Sequence, residues 1–511
     1  MQGRKEYSPK MIYQVHLHEL VPQDNFYRQL LKEVDFHFLY KSTADYYGTE
    51  GQESIDPVVF FKLCLVGYLN NINSDRKLIS YSANCLDIRL FIGYDIDEQL
   101  PWHSTISRTR QLYGEEVFLL LFKQILSLCV DKGMVRGKRQ AVDSVFVKAN
   151  ASMDSLVEKA VIEQDVELYA AELNEGSEYK VSKERKGWVE QHHKWKEEAY
   201  KDMPGHNKTK ERKDEFGNDI RPRFLSNHTH YSNTDRDARI SVKPGKARQL
   251  NYFAQVSVDD GHHVITGALA DFADKRDSQC LPKILDQTIE NLLENNIEIE
   301  QICADAGYSS GSSLQYLEDK NIDAYIPNFG QYKNSREGFI YNREKDRYEC
   351  TRGNKAILPF RKQTIDSKGY EKKVYRSTNE KCKDCALRSS CIGTSDFKKL
   401  DDSIAKPYYD RMHEKLQTAY AKRMSRIRSK TVEPVLGTLI NFMNMKRVNS
   451  RGIKQANKHI ILSALCYNLK KYMKFISKNR KIRAAEKALQ SQFHIILKLL
   501  ALNGYSLEMH L

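Results

Sequence analysis

Cysteine is scarce in this chain and long apolar runs are absent. Ten Cys in 511 residues are too few for a disulfide-stapled scaffold and fit a reducing compartment. No uninterrupted apolar run approaches the roughly 18–20 residues that a membrane span needs. The longest, such as Val117-Phe-Leu-Leu-Leu-Phe122, are core-sized. Met1-Gln-Gly-Arg-Lys-Glu6 is followed by no apolar stretch, so no secretory signal is read there. No period repeats through the chain, which excludes collagen and coiled-coil readings. The expectation is a soluble, cytoplasmic protein with no membrane partner.

What is present is ample apolar material. The hydrophobic fraction is 41%, with 29 Tyr and 20 Phe, which excludes a mostly disordered chain. The length suits about two to four domains. The charge is unevenly placed. The whole chain carries +14, yet Lys406 to Arg483 holds 20 Lys or Arg against the three acids Asp410, Glu414 and Glu433. That window alone is +17, so the rest is slightly acidic. Such a block needs an anionic partner or full solvation, and DNA or RNA phosphate is the natural partner. Arg423, Arg426, Arg428, Lys430, Lys446, Arg447 and Arg451 are the candidate phosphate contacts. A second charged stretch, Val181 to Ile220, has 10 basic and 9 acidic residues and a nearly cancelling field. It reads as an exposed helical insertion.

Residues 1–135 read as helical. Asn25 to Val34 is amphipathic. Asp56-Pro57 is an N-cap and first-turn proline, Ser74 opens a further helix, and Ser104 or Thr105 can cap the next. The pattern changes at Arg139. Gln140 to Val147, Leu250 to Val258 and His262 to Leu269 read as strands, the last two joined at Asp259-Asp-Gly261. Ser278 to Asn295 is an amphipathic helix. Ile299 to Ala304 (strand), Gly311 to Lys320 (helix) and Ala324 to Ile326 (strand) follow. This is the element order of an α/β, RNase H-like core. It is interrupted at 149–248 and 327–400, preceded by an all-α domain and followed by C-terminal helices over Lys406–Lys446, Gln455–Phe475 and Ala484–Leu502. The expected division is 1–135, 136–480 and a C-terminal helix in 481–511.

Three carboxylates stand out. Asp143 lies inside the first strand, in Ala141-Val-Asp143. Asp305 follows the fourth strand directly, at a sheet edge of the kind where ligands bind in open α/β domains. Glu433 is the only acid between Glu414 and Glu486, within the most basic part of the chain. Two strand acids and one helix acid are the donor set of a two-metal phosphoryl-transfer site, which takes hard cations on oxygen ligands. Each acid alone has a plainer reading: Asp143 paired with a buried Arg, Asp305 capping a helix.

Ala304-Asp-Ala-Gly-Tyr308, Ala141-Val-Asp-Ser-Val-Phe-Val-Lys-Ala149 and Thr431-Val-Glu-Pro-Val-Leu-Gly437 resemble segments of the bacterial insertion-sequence DDE transposases, nearest the insertion sequence eleven-eighty-two family. Asp56-Pro-Val-Val-Phe-Phe61, Ser74-Asp-Arg-Lys-Leu78, Arg89-Leu-Phe-Ile-Gly93 and His103-Ser-Thr-Ile-Ser-Arg108 resemble its N-terminal domain. Ser232-Asn-Thr-Asp-Arg-Asp-Ala238, Leu250-Asn-Tyr252, Arg451-Gly-Ile453 and Asn468-Leu-Lys-Lys471 resemble later segments. The resemblance implies a core using Mg²⁺ or Mn²⁺ held by Asp143, Asp305 and Glu433. The enzyme would cut at element ends and join the freed 3′-hydroxyl to target DNA. It also implies that the N-terminal domain binds DNA, and that the protein works as a dimer on paired ends. One departure stands out. Related transposases place Arg four residues before the Glu and Lys seven after; here those positions are Ser429 and Ile440, with Arg428, Lys430 and Lys446 nearby.

Cys350, Cys382, Cys385 and Cys391 cluster in the second interruption. One C-x₂-C pair with two further thiols suits a structural Zn²⁺; reduced thiols in a loop-rich subdomain are the alternative. The other six Cys sit in apolar stretches and read as core. Besides an active transposase, two readings share these residues: a DNA-binding protein of transposase descent that no longer cuts, and a metal-dependent nuclease without strand transfer.

Overall fold

The computed structural model describes residues 16–48, 54–158, 227, 230–241, 248–330, 332, 335–365 and 371–502, with backbone alone for 157, 158, 379 and 483–502. The helical insertion expected over 181–220 lies outside the described residues.

Between Leu17 and Asp131 the described chain forms eight α-helices. Their starts are chemically marked. Asn25 accepts from the amides of Tyr27 (2.9 Å) and Arg28 (3.3 Å). Asp56 accepts from Val58 (2.6 Å) and Val59 (3.2 Å), with Pro57 as first helical residue. Ser74 caps Asp75–Asn84. The expected cap at Ser104 or Thr105 is corrected. Trp102 takes the extended backbone that ends the loop, the helix runs His103–Leu112, and both hydroxyl residues lie inside it. Helix Pro57–Leu69 is apolar on all sides, and Phe60, Phe61, Leu63 and Leu65 are fully buried.

The strands of the centre are β1 (Arg139–Lys148), β4 (Arg239–Ser241), β5 (Gln249–Asp259), β6 (Ile265–Phe272), β7 (Gln301–Cys303) and β8 (Asp323–Tyr325). β2 (Leu156–Glu158) and β3 (His230–Ser232) pair apart from them. The central sheet is ordered β4-β5-β1-β7-β8, with β6 beside β4 on the outer edge of β5. β5 runs antiparallel to β1, β4 and β6, while β7 is parallel to both β1 and β8. β6 begins at Ile265, later than the expected His262, because His263 takes a left-handed turn conformation with φ 58°.

Strand alternation assigns each face a partner. Val142, Leu269 and Ile302 pack under the helices Asp277–Leu293 and Gly311–Asp319 through Leu281, Ile284, Leu285 and Leu314. Ala141, Val147, Tyr252 and Val256 face the other way. There they join one continuous core with Phe60 and Leu121 of the N-terminal helices, Val432 and Leu439 of helix Ala419–Phe442, and Leu465 and Cys466 of helix Ile453–Leu502. That last helix is a single 50-residue element. The helices expected separately at 455–475 and 484–502 are therefore one, and the boundary expected at 480/481 falls within it.

Three of the resemblance-bearing motifs meet at its start. Tyr252 Oη donates to both carboxylate oxygens of buried Asp235 (2.7 Å each). The Gly452 amide donates to Asp235 (3.1 Å), and the Ile453 amide to Asp237 (2.9 Å). The first turn of a helix leaves amides without helical partners, and these acids satisfy two of them.

The second interruption holds an antiparallel five-stranded sheet in place of a loop-rich segment. Its strands are β9 (Phe339–Asn342), β10 (Arg347–Cys350), β11 (Ile357–Ile365), β12 (Glu371–Arg376) and β13 (Lys399–Ser403), in the order β13-β12-β11-β10-β9. It has its own small core of Tyr348, Leu358, Tyr375, Cys382 and Leu400. No helix among the described residues is long and apolar enough to cross a membrane.

Candidate active site

Asp143 and Asp305 are brought together by strand register. Ala141 of β1 is paired with Cys303 of β7 in the parallel ladder, and each acid lies two residues further along its own chain. Asp143 therefore projects from the Ala141 face, the one covered by helix Ala419–Phe442, where Cys303 packs against Ala421 and Met424. Asp305 stands where β7 ends, and its carboxylate accepts from the Gly307 amide (2.9 Å), closing a short 3₁₀ turn.

The helix brings the third acid. Val432 and Val435 are buried against the sheet, which leaves Glu433 on the outward side with 54% of its side chain exposed. Arg428, on the same helix, joins the two elements. Its Nη1 donates to Asp143 Oδ2 (3.0 Å) and its Nη2 to Glu433 Oε1 (2.9 Å). Only 16% of the Arg428 side chain is exposed.

Asp277 is a fourth acid that sequence reasoning missed. It opens helix Asp277–Leu293 on the opposite face and accepts a hydrogen bond from Ser144 Oγ. A Cβ added at Gly307 would lie 2.6 Å from Asp277 Oδ2 and 3.0 Å from Asp305 Oδ1, so glycine lets both carboxylates approach the turn. The only signal in the sequence was an Asp at a helix start, which ordinarily means a favourable helix-dipole contact. Below the acids, the fully buried Tyr308 donates to Gln255 Oε1 (2.6 Å).

Burial pushes the Asp143 carboxyl up to about 6, and Asp305 and Asp277 add to the rise; the Ser144 amide and Arg428 oppose it. A partly desolvated group of like charges favours a compact positive partner. The donors are all carboxylate oxygens, which suit Mg²⁺ or Mn²⁺, so the chemistry of the set fits the implied ions. As placed, no three acidic, thiol or imidazole side chains among the described residues form a group that could hold a metal. Between Asp143 and Glu433 lies the Arg428 guanidinium.

The remaining basic candidates surround this point without entering it. Arg423, Arg426 and Lys430 are exposed on the same helix. Lys446, Arg447 and Arg451 are exposed beyond its end. The Lys446 carbonyl accepts from the Lys148 amide (3.2 Å), and the Val448 amide donates to the Lys148 carbonyl (2.9 Å). This pins the 446–448 turn to the end of β1, about 16 Å along the strand from Asp143. Arg447 also donates to Asn150 (3.1 Å). Ser429 and Ile440, at the positions where related signatures carry Arg and Lys, are partly buried.

The four clustered cysteines line one cavity of about 390 Å³ beside β10, although Cys350 is far from the others in sequence. Cys382 is buried, with its Sγ 3.0 Å from Ser377 Oγ, and Cys350 Sγ donates to the Arg352 carbonyl (2.7 Å).

Acids at and beside strand ends next to an exposed basic helix form a site whose charges suit cations and phosphate. Family comparison adds two domain matches. Residues 15–112 match the model described as a transposase domain (DUF772), and residues 349–473 match a transposase DDE domain. Neither match covers half of the chain; together they support an insertion-sequence DDE transposase. They do not single out the eleven-eighty-two family. The second match contains Glu433 and the cysteines; Asp143 and Asp305 lie between the two matched regions. No curated protein matches the chain.

Proposed function

We propose that this chain is an active DNA transposase that cleaves at the ends of its element and transfers the freed 3′-hydroxyl into target DNA. Its catalytic unit is an RNase H-like core in which Asp143, Asp305 and Glu433 are the divalent-cation ligands. The observation that supports the reading is that Arg428 bridges Asp143 of β1 to Glu433 of helix Ala419–Phe442, beside the end of β7 that Asp305 follows. The strand order, with three antiparallel strands followed by two parallel ones joined through helices, supports the core assignment.

Mg²⁺ or Mn²⁺ bound there would supply activation of the attacking water or 3′-hydroxyl and neutralisation of the leaving oxygen. The chain's own residues do the rest. The β1–β7 pairing brings the strand segment before Asp305 alongside β1, which carries Asp143. The buried face of helix Ala419–Phe442 sets Glu433 against them. Arg423, Arg426, Lys430, Lys446, Arg447 and Arg451 hold the DNA backbone along one side of the site, and the N-terminal helices bind element ends. Two chains act together on a pair of ends. The cysteine-lined cavity is proposed as a structural Zn²⁺ site.

The test is divalent-metal-dependent cleavage of DNA carrying the element's ends, comparing the natural chain with Glu433→Gln. Metal-dependent cleavage that disappears in the variant while binding persists supports the reading. Binding without cleavage by the natural chain points to a silent DNA-binding protein. A pre-cut end with a free 3′-hydroxyl separates a transposase, which joins it, from a nuclease, which does not.

A further inference from the structure

Arg428 differs from every other basic residue proposed to hold DNA. Arg423, Arg426 and Lys430 point into solvent from the same helix, and no ion pair holds them among the described residues. Arg428 is largely buried and divides its two terminal nitrogens between Asp143 on β1 and Glu433 on its own helix, at 3.0 and 2.9 Å. A guanidinium is a planar fork that can serve two carboxylates at once, which an ammonium group cannot do in the same fixed geometry.

We infer that Arg428 is an exchangeable internal counter-ion of the acidic site: it holds Asp143 and Glu433 together until a divalent cation takes their oxygens, and is then released to a DNA phosphate. This rests on the proposed metal-ligand role of those two acids. The argument is one of shared atoms. A cation coordinated by Asp143 and Glu433 needs oxygens that the guanidinium now occupies, and a dication and an arginine repel at contact distance. Displacement leaves an unpaired cation at the mouth of the site. Asp305 and Asp277 remain on the side of the bound cation, and Arg423, Arg426 and Lys430 on the same helix are basic; the new anion on offer is the DNA backbone lying along them.

Two consequences distinguish this from a purely structural ion pair. Arg428 competes with metal when DNA is absent. When DNA is present, a phosphate takes the released guanidinium, so DNA strengthens metal binding, and by linkage metal strengthens DNA binding.

The test is Mn²⁺ binding to the full-length chain, followed by the electron paramagnetic resonance signal of free Mn²⁺, without and with duplex DNA. Arg428→Gln should bind Mn²⁺ about tenfold more tightly than the natural chain without DNA, and should lose most of the tightening that DNA produces. Arg428→Lys, which keeps the charge and loses the fork, should fall between them, and it serves if the Gln variant does not fold. Unchanged or weaker Mn²⁺ binding in both variants overturns the inference. Asp143→Asn and Glu433→Gln separate the two levels. If they leave Mn²⁺ binding as it is in the natural chain, the metal-ligand reading itself fails. If they weaken it while the Arg428 variants change nothing, only the counter-ion role fails.

Discussion

Asp143 and Asp305 each lie two residues beyond the register pair Ala141–Cys303, Asp143 within β1 and Asp305 just past the end of β7. Backbone pairing holds Asp143, while Asp305 is held by the turn it caps through the Gly307 amide. Asp277 reaches the same point from the other face, through Ser144 and past Gly307. The three acids should therefore respond differently to loss of charge. Asp143→Asn and Asp305→Asn are each expected to lower DNA cleavage on the order of 10⁴-fold, as for members of one catalytic unit. Asp277→Asn is expected to cost about 10- to 100-fold, as for a group that orients ligands. Single-turnover cleavage with each purified variant checks the order. Equal losses at all three would make Asp277 a ligand in its own right.

The exposed cations of helix Ala419–Phe442 should be visible in the salt dependence of DNA binding. If Arg423, Arg426 and Lys430 each neutralise one phosphate, replacing any one with Ala lowers the slope of log K against log salt by about 0.9. Fluorescence anisotropy across a salt series measures this. A set of variants with unchanged slope would move the DNA path to another face.

His459 supplies a pH dependence unrelated to the reaction. It is buried in helix Ile453–Leu502, with Nδ1 2.6 Å from Tyr68 Oη. Burial, with nearby Arg110, lowers its pKa from 6.5 to about 4. The folded protein thus keeps this ring neutral where the unfolded chain takes up a proton. Stability should fall as pH drops below 6.5, by about 1.4 kcal/mol at pH 5.5 and about 3 kcal/mol near pH 4, where the loss levels off. His459→Gln should flatten that part of the curve. Urea unfolding at pH 7.5 and 5.5 for both proteins decides it.

The cysteine-lined cavity makes a compositional prediction. Purified without chelator, the chain should carry one zinc per molecule by elemental analysis. Cys382→Ser with Cys385→Ser should lose it and loosen the β9–β13 sheet, while the central sheet keeps its amide-exchange protection. A metal-free protein with all four thiols titratable by a thiol reagent would assign these residues to reduced packing.

Much of the central architecture was legible because it follows periodicity. β1 and β5 are bounded by turn signals and rich in β-branched and aromatic residues, and Asp56 and Ser74 are strong caps. The five-stranded sheet was not legible for a physical reason. Strand Glu371–Arg376 buries only the two adjacent residues Val374 and Tyr375, with no alternating apolar pattern. Lysines on the outer face and tyrosines in the core together mask the usual apolar signal. Asp143 could be singled out from its place within a strand and Asp305 from its place directly after one, but that the two strands are neighbours needed the pairing of β1 with β7. Arg428 could be counted as basic; that it faces the acids while its neighbours face solvent depends on how the helix is rotated against the sheet. Asp277 comes from an element on the far side of the sheet, which no linear spacing reveals.

The continuous core joining Phe60, Val256, Val432 and Leu465 bears on how copies of this gene decay. An interrupted copy that ends before residue 453 lacks a wall shared by the N-terminal helices and the central sheet. Its product should aggregate or be degraded, without surviving as a competent end-binding fragment. Decaying copies would then stop contributing protein altogether, and would not become dominant repressors of an intact neighbour.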